Sequence, residues 1–103
     1  LCDALLEAAA RTGEQYWRFP TFPEYKKMIE SPVADLCNQS SDGCGAITAG
    51  LFVGAFAGDV PWVHMDIAGT AWVDRPRREY QSAGATGAGV TTLYRLCSDL
   101  AER

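Results

Sequence analysis

At 103 residues the chain is one small domain or a piece of a larger one. Its 48% hydrophobic and 21% charged residues argue against disorder, and a net charge of −4 weighs against a nucleic-acid surface, which needs a surplus of Lys and Arg on one face. The cluster Arg75-Pro76-Arg77-Arg78 is too short to change that, no apolar run approaches the roughly 18 residues of a membrane span, and the N-terminus lacks a signal-peptide pattern.

Leu1, Leu5, Ala8 and Ala9 fall on one helical stripe, and Gly13 has the position of a C-terminal cap. The chain starts inside this helix without a cap or an initiator methionine, which predicts an N-terminal truncation. Gln15 to Phe19 is a short aromatic strand candidate ended by Pro20. Thr21-Phe22-Pro23-Glu24 reads as a capping box with proline in the first turn, opening a helix with Tyr25, Met28 and Ile29 on one face. Ser31-Pro32 stops that helix, and Val33 to Cys37 is a second strand candidate.

Asn38 to Gly45 is a polar, glycine-containing loop, and Ala46 to Phe56 is a helix of small residues. Each helical glycine costs about 1 kcal/mol relative to alanine, so Gly50 and Gly54 predict that another backbone approaches closely. Gly58-Asp59 turns the chain into a strand over Trp62 to Ile67, residues 68 to 87 form a long loop, and Val90 to Ala101 is the last helix. The order strand, helix, strand, helix predicts a βαβα unit with two parallel strands and a right-handed crossover.

The segment Trp62 to Trp72 holds the only histidine and a His-x-Asp pair, and it runs from strand into an Ala-Gly-Thr-Ala loop. Alternation places Trp62, His64 and Asp66 on one strand face. An imidazole beside a carboxylate could orient a general base or form half of a metal site. With no evident nucleophile and no second histidine for zinc, the structural role of a satisfied core histidine is favoured.

Gly43-Cys44-Gly45 before a helix could cradle an anion or activate Cys44 as a nucleophile, but it fits no phosphate-loop pattern and reads better as a tight turn. Ser82 to Gly89 could likewise bind phosphate; its lysine-free surroundings favour a connection that caps the last helix. The four cysteines, at 2, 37, 44 and 97, form no Cys-x-x-Cys pair and are expected as buried free thiols in a reducing, cytoplasmic compartment.

Several segments in one order resemble the leucyl aminopeptidase (cytosol aminopeptidase) family. Thr12-Gly13-Glu14 with Trp17-Arg18-Phe19-Pro20 is similar to its T-G-E-x-x-W-R-L-P segment, and Ala34-Asp35-Leu36-Cys37-Asn38 to its A-D-x-x-N stretch. Gly45-Ala46-Ile47-Thr48-Ala49-Gly50-Leu51-Phe52 is similar to G-A-I-T-A-G-x-F, and Gly84-Ala85-Thr86-Gly87 matches G-A-T-G. The block Trp62 to Trp72 is close to W-A-H-L-D-I-A-G-T-A-W and is the most specific of these. Two departures stand out: the loop Gln39 to Cys44 lacks the family's glycine-rich form, and Gly87-Ala88-Gly89-Val90 replaces a frequent G-R-P-V.

The resemblance implies that residues 1–103 are the C-terminal, βαβα portion of a larger mixed-sheet, three-layer α/β catalytic domain. It also implies a parent metalloaminopeptidase that removes N-terminal residues from peptides with two divalent metal ions (Zn or Mn), assembled as a hexamer in the cytoplasm. The family's metal-binding N-T-D-A-E-G-R segment does not occur in the chain, so no catalytic or metal residue carries over and the chain alone is expected to be inactive and metal-free. What carries over is pocket wall: Ala68 and Ala71 in the loop after the strand, with Gln39 bordering the same cleft. Two alanines imply a roomy apolar pocket for a leucine- or methionine-sized side chain. The alternatives are a non-catalytic aminopeptidase-like binding or oligomerisation module, and a small cysteine hydrolase built on Cys44.

Overall fold

Leu5, Ala8 and Ala9 are buried along one face of helix α1, Cys2–Thr12, at the spacing their sequence pattern requires. The chain is described from a computed structural model that covers residues 1–102. It divides into two units, one built from Leu1–Tyr16 and the chain from Met65 onward, the other from Trp17–His64.

In the first unit α1 ends at Gly13, whose left-handed φ of 79° lets its N–H donate to the Ala9 carbonyl. Opposite α1 lies α2, Val90–Ala101, which buries Thr92 and Leu96 against it. Arg11 donates to Asp99 at 2.8 Å across the two helices, and Arg95 reaches the same carboxylate at 2.9 Å from one turn back. The long loop predicted over 68–87 contains an antiparallel ribbon. Its strands, β1 (Trp72–Val73) and β2 (Gly84–Ala85), pair Trp72 with Ala85 and Val73 with Gly84. Two-residue strands carry no alternation long enough to read, so the sequence gives no sign of them.

The second unit holds a 3-10 helix, Pro23–Ile29, and an α-helix, α3, Gly45–Gly54, which pack on one another. Pro23 takes the first helical position as expected, but the capping box does not form. The N-cap is Phe22, in extended geometry, and it has no side-chain acceptor. Residues 33–37 form no strand: 33–35 are bends, and 36–37 belong to no regular element. The Ser31 hydroxyl accepts the N–H groups of Val33 and Ala34 at 3.3 and 3.1 Å, and this local turn competes with a ladder.

The mixed α/β class holds, as helices accompanied by a small sheet. The sheet is the 72–73/84–85 ribbon, not a parallel pairing of 33–37 with 62–67. Residues 62–67 and 15–19 belong to no ladder among the described residues. A parallel strand depends on neighbours that cover both its edges and its faces.

Candidate functional site

Asp66 and Ile67 fold the chain over on itself. The Asp66 carboxylate accepts the Ala68 N–H at 3.0 Å, and the Ile67 carbonyl accepts the N–H groups of Thr70 and Ala71 at 2.9 and 2.8 Å. This is the Asx-type turn that an aspartate followed by small residues favours. Asp66 is therefore engaged in shaping the loop. The turn leaves Ala68 exposed and Ala71 half-buried, both on one short arc of backbone.

That arc is pinned from a second segment. Thr86, just beyond β2, donates its N–H to the Ala71 carbonyl at 2.9 Å and its hydroxyl to the Thr70 carbonyl at 2.6 Å. The same hydroxyl accepts the Ala88 N–H at 3.2 Å. Gly84, paired with Val73 in β2, holds a φ of 113° that a residue with a Cβ rarely adopts.

In the other unit, His64 lies half-buried against α3, its Cδ2 and Cγ 3.5 and 3.6 Å from where a Gly50 Cβ would stand. A Cβ on Gly54 would fall 2.0 Å from Cζ2 of Trp62. The two helical glycines do mark a close approach, as their cost suggested. What approaches is an imidazole and an indole, not a second backbone. The histidine that the motif made a candidate base packs as a filler against a glycine face.

Gln39 is exposed and lines a shallow cavity of about 310 Å³ with Asn38, Ser40, Gly43, Gly45, Thr48 and Ala49. Ala68 and Ala71 thus share one turn, and Gln39 belongs to the other unit. Gly43 and Cys44 both adopt left-handed backbone, φ 85° and 54°, and Cys44 is the N-cap of α3 with no side-chain cap bond. All four cysteines are free; Cys2 and Cys37 are half-buried while Cys44 and Cys97 are exposed, so none of the thiols is buried as expected and the last two depart furthest. Cys44 sits at a turn and Cys97 on the outer side of an amphipathic helix, where packing does not need them.

The residue that sequence reading missed is Glu14. Its carboxylate accepts the Gly89 N–H at 3.0 Å, the Thr92 N–H at 3.2 Å, the Thr92 hydroxyl, and the Tyr16 hydroxyl at 3.3 Å. Burial raises its pKa, but the bonds from Thr92, Gly89 and Tyr16 outweigh burial and hold it below the ordinary carboxylate value. Burial, together with the neighbouring Glu14 charge, pushes the Tyr16 phenol up. Glu14 supplies the acceptor that an N-cap glycine cannot, from 75 residues away. Glu14 and the Gly87 carbonyl already take the Gly89, Thr92 and Val90 N–H groups at this helix start, which argues against the phosphate reading of residues 82–89. One signal was available: Gly89, as an N-cap without a side chain, requires an acceptor from elsewhere.

Among the described residues no group of three or more His, Cys, Asp or Glu side chains is placed to hold a metal ion. No helix among the described residues is long and apolar enough to cross a membrane.

Comparison with known proteins bears on the whole arrangement. A sequence profile described as "Cytosol aminopeptidase family, catalytic domain" matches residues 1–94. The chain is 53% identical over 94 residues to a "Probable cytosol aminopeptidase" of Alkaliphilus metalliredigens, covering 91% of this chain and 19% of that protein. It is 44% identical over 99 residues to one of Roseiflexus castenholzii, covering 96% of this chain and 20% of the relative. Among solved structures it is similar to the bottromycin maturation enzyme BotP, with a TM-score of 0.90 and 35% identity over 99% of this chain and 23% of that one. A second structure of BotP, in complex with Mn, gives a TM-score of 0.88. The chain spans about a fifth of the length of the curated relatives it matches.

Proposed function

Since the chain belongs to the cytosol aminopeptidase family, we propose that the whole protein carrying it is a metal-dependent aminopeptidase that releases N-terminal residues from peptides. In this reading residues 1–103 contribute scaffold and substrate-pocket wall. The observation that carries it is the turn 66–71, whose small side chains Ala68 and Ala71 sit on backbone held from both Asp66 and Thr86. A wall of small side chains on fixed backbone leaves space for a leucine- or methionine-sized group. Gln39, beside its own shallow cavity, is the further substrate-contacting residue of this reading.

Two divalent ions, Zn or Mn, serve the chemistry in the whole protein and are held by residues outside this chain. The manganese complex of BotP supports a metal of this kind. The chain by itself is inactive. The whole protein works as a hexamer in the cytoplasm; the name its relatives bear, cytosol aminopeptidase, supports the second of these.

The test is hydrolysis of leucyl-p-nitroanilide by the whole protein, before and after chelation and after return of Mn or Zn. Activity that vanishes on chelation and returns with metal is expected. Failure to hydrolyse any aminoacyl-p-nitroanilide with metal restored would overturn the proposal.

A further inference from the structure

Glu14 and the turn at Ala71 are joined within one unit by hydrogen bonds at both ends of the short backbone 86–89. The carboxylate holds the Gly89 N–H at 3.0 Å. One peptide earlier, the Ala88 N–H donates to the Thr86 hydroxyl at 3.2 Å, and that hydroxyl donates to the Thr70 carbonyl at 2.6 Å. The Thr86 N–H donates to the Ala71 carbonyl at 2.9 Å. Each step uses a group with no spare partner: Gly89 offers no side chain, and the single hydroxyl proton of Thr86 goes to Thr70.

The anchor at the far end is firm. Thr92, fully buried, gives both its N–H and its hydroxyl to Glu14, and the Thr12 hydroxyl lies 3.1 Å from that of Thr92. Glu14 follows directly on the Gly13 cap of α1, so its position is set by the packing of α1 on α2. A side chain at position 89 would also meet Met65 and Tyr16, at 3.3 and 3.5 Å from a Cβ, so the segment has little room to shift.

We infer that Glu14 is a positioning residue for the substrate pocket: it fixes the start of α2, and through residues 86–89 it sets where the backbone of Thr70 and Ala71 lies. The inference rests on the reading of Ala68 and Ala71 as pocket wall. A displaced wall affects a leucyl side chain, which touches it, more than an alanyl one, which does not reach as far. The selectivity between the two therefore reports position, whereas a loss of folded enzyme lowers both rates alike.

The experiment measures kcat and KM of the metal-loaded whole protein on leucyl- and alanyl-p-nitroanilide for Glu14→Gln, Thr86→Val, their double variant and Ala71→Leu. Glu14→Gln keeps one acceptor oxygen but sets an amide donor among N–H and O–H donors. It should raise the leucyl KM by about two- to tenfold, the range of one net hydrogen bond, with the alanyl KM and kcat little changed. Thr86→Val keeps the N–H to Ala71 and cuts the hydroxyl links, so it should move the same ratio in the same direction. The double variant should exceed the larger single effect only slightly, because both act through the same short backbone.

Should Glu14→Gln fail to accumulate as folded protein, Thr86→Val decides alone. If Ala71→Leu shifts the ratio while Glu14→Gln and Thr86→Val leave it unchanged, the positioning role is overturned and the pocket wall stands. If Ala71→Leu also leaves it unchanged, the pocket-wall reading falls and the inference falls with it.

Discussion

The Gly54 backbone lies under the Trp62 indole so closely that a Cβ would stand 2.0 Å from Cζ2 and 2.4 Å from Cη2. No side chain fits between them unless the ring moves. Alanine would gain about 1 kcal/mol in helix propensity and lose about 1–3 kcal/mol to overpacking. Gly54→Ala should therefore loosen α3 on balance, read as faster amide exchange over 45–54. Trp62→Leu, which removes the ring's reach, should relieve most of that loss. Equal exchange in Gly54→Ala and the parent would contradict the packing argument.

Glu14 gives a pH signature whose sign follows from its bonds. Its folded pKa is depressed below the ordinary 4.5, so its contribution is full above that value and is lost as pH falls through the lower folded value. Protection of the Gly89 and Thr92 amides, corrected for intrinsic exchange, should decline across that acid range. In Glu14→Gln the same protection should be lower at neutral pH and should lack the acid step. An identical step in both proteins would assign it to another group.

Asp99 pairs with Arg11 across α1 and α2 and with Arg95 within α2, both at the surface. Arg11 is more than half exposed there, so Arg11→Ala should cost under about 1 kcal/mol. Asp99→Ala removes the partner of both Arg11 and Arg95 and should cost somewhat more. Thermal midpoints compared at low and high NaCl check this: the difference from the parent should shrink with salt. A loss of several kcal/mol that salt does not touch would show a packing role instead.

Cys44 carries a left-handed backbone at φ 54°, a conformation that costs a residue with a Cβ about 1–2 kcal/mol. Cys44→Gly should thus be neutral or stabilising by up to about 1 kcal/mol, and Cys44→Val destabilising, both by thermal unfolding. Cys44→Ser should leave peptide hydrolysis intact. Its abolition with the fold preserved would revive a cysteine-based chemistry.

Large apolar side chains remain open to solvent in both units, with Val33 at 92% and Trp17 at 81% exposure in one and Tyr94 at 77% in the other. Expressed alone, residues 1–103 should associate or aggregate rather than melt sharply as a monomer. Sedimentation with a thermal scan tests it. A reversible, concentration-independent transition would argue against unmet surfaces.

How much of this was legible in the sequence divides by range. Leu5, Ala8 and Ala9 announce α1, and Gly13 its end, because helical spacing and a left-handed cap are local requirements. Val90 to Ala101 is read the same way. The region 33–37 is apolar enough for a strand, yet Ser31 turns it locally, and composition does not reveal which of the two wins. His64 and Asp66 look like a pair because alternation aligns them; the aspartate is instead taken by the Ala68 N–H. Glu14 leaves no mark near itself, since all its main-chain donors come from the far end of the chain.

The cap on α2 also fixes an order of events. Glu14 leaves the ribosome 75 residues ahead of the Gly89 N–H it will hold. At about 5–20 residues per second, the newborn α1 waits on the order of 4–15 s for its partner helix. Throughout that interval Leu5, Ala8 and Ala9 have no α2 to cover them. Of these two helices, the one made first stays without its partner until the distant end arrives.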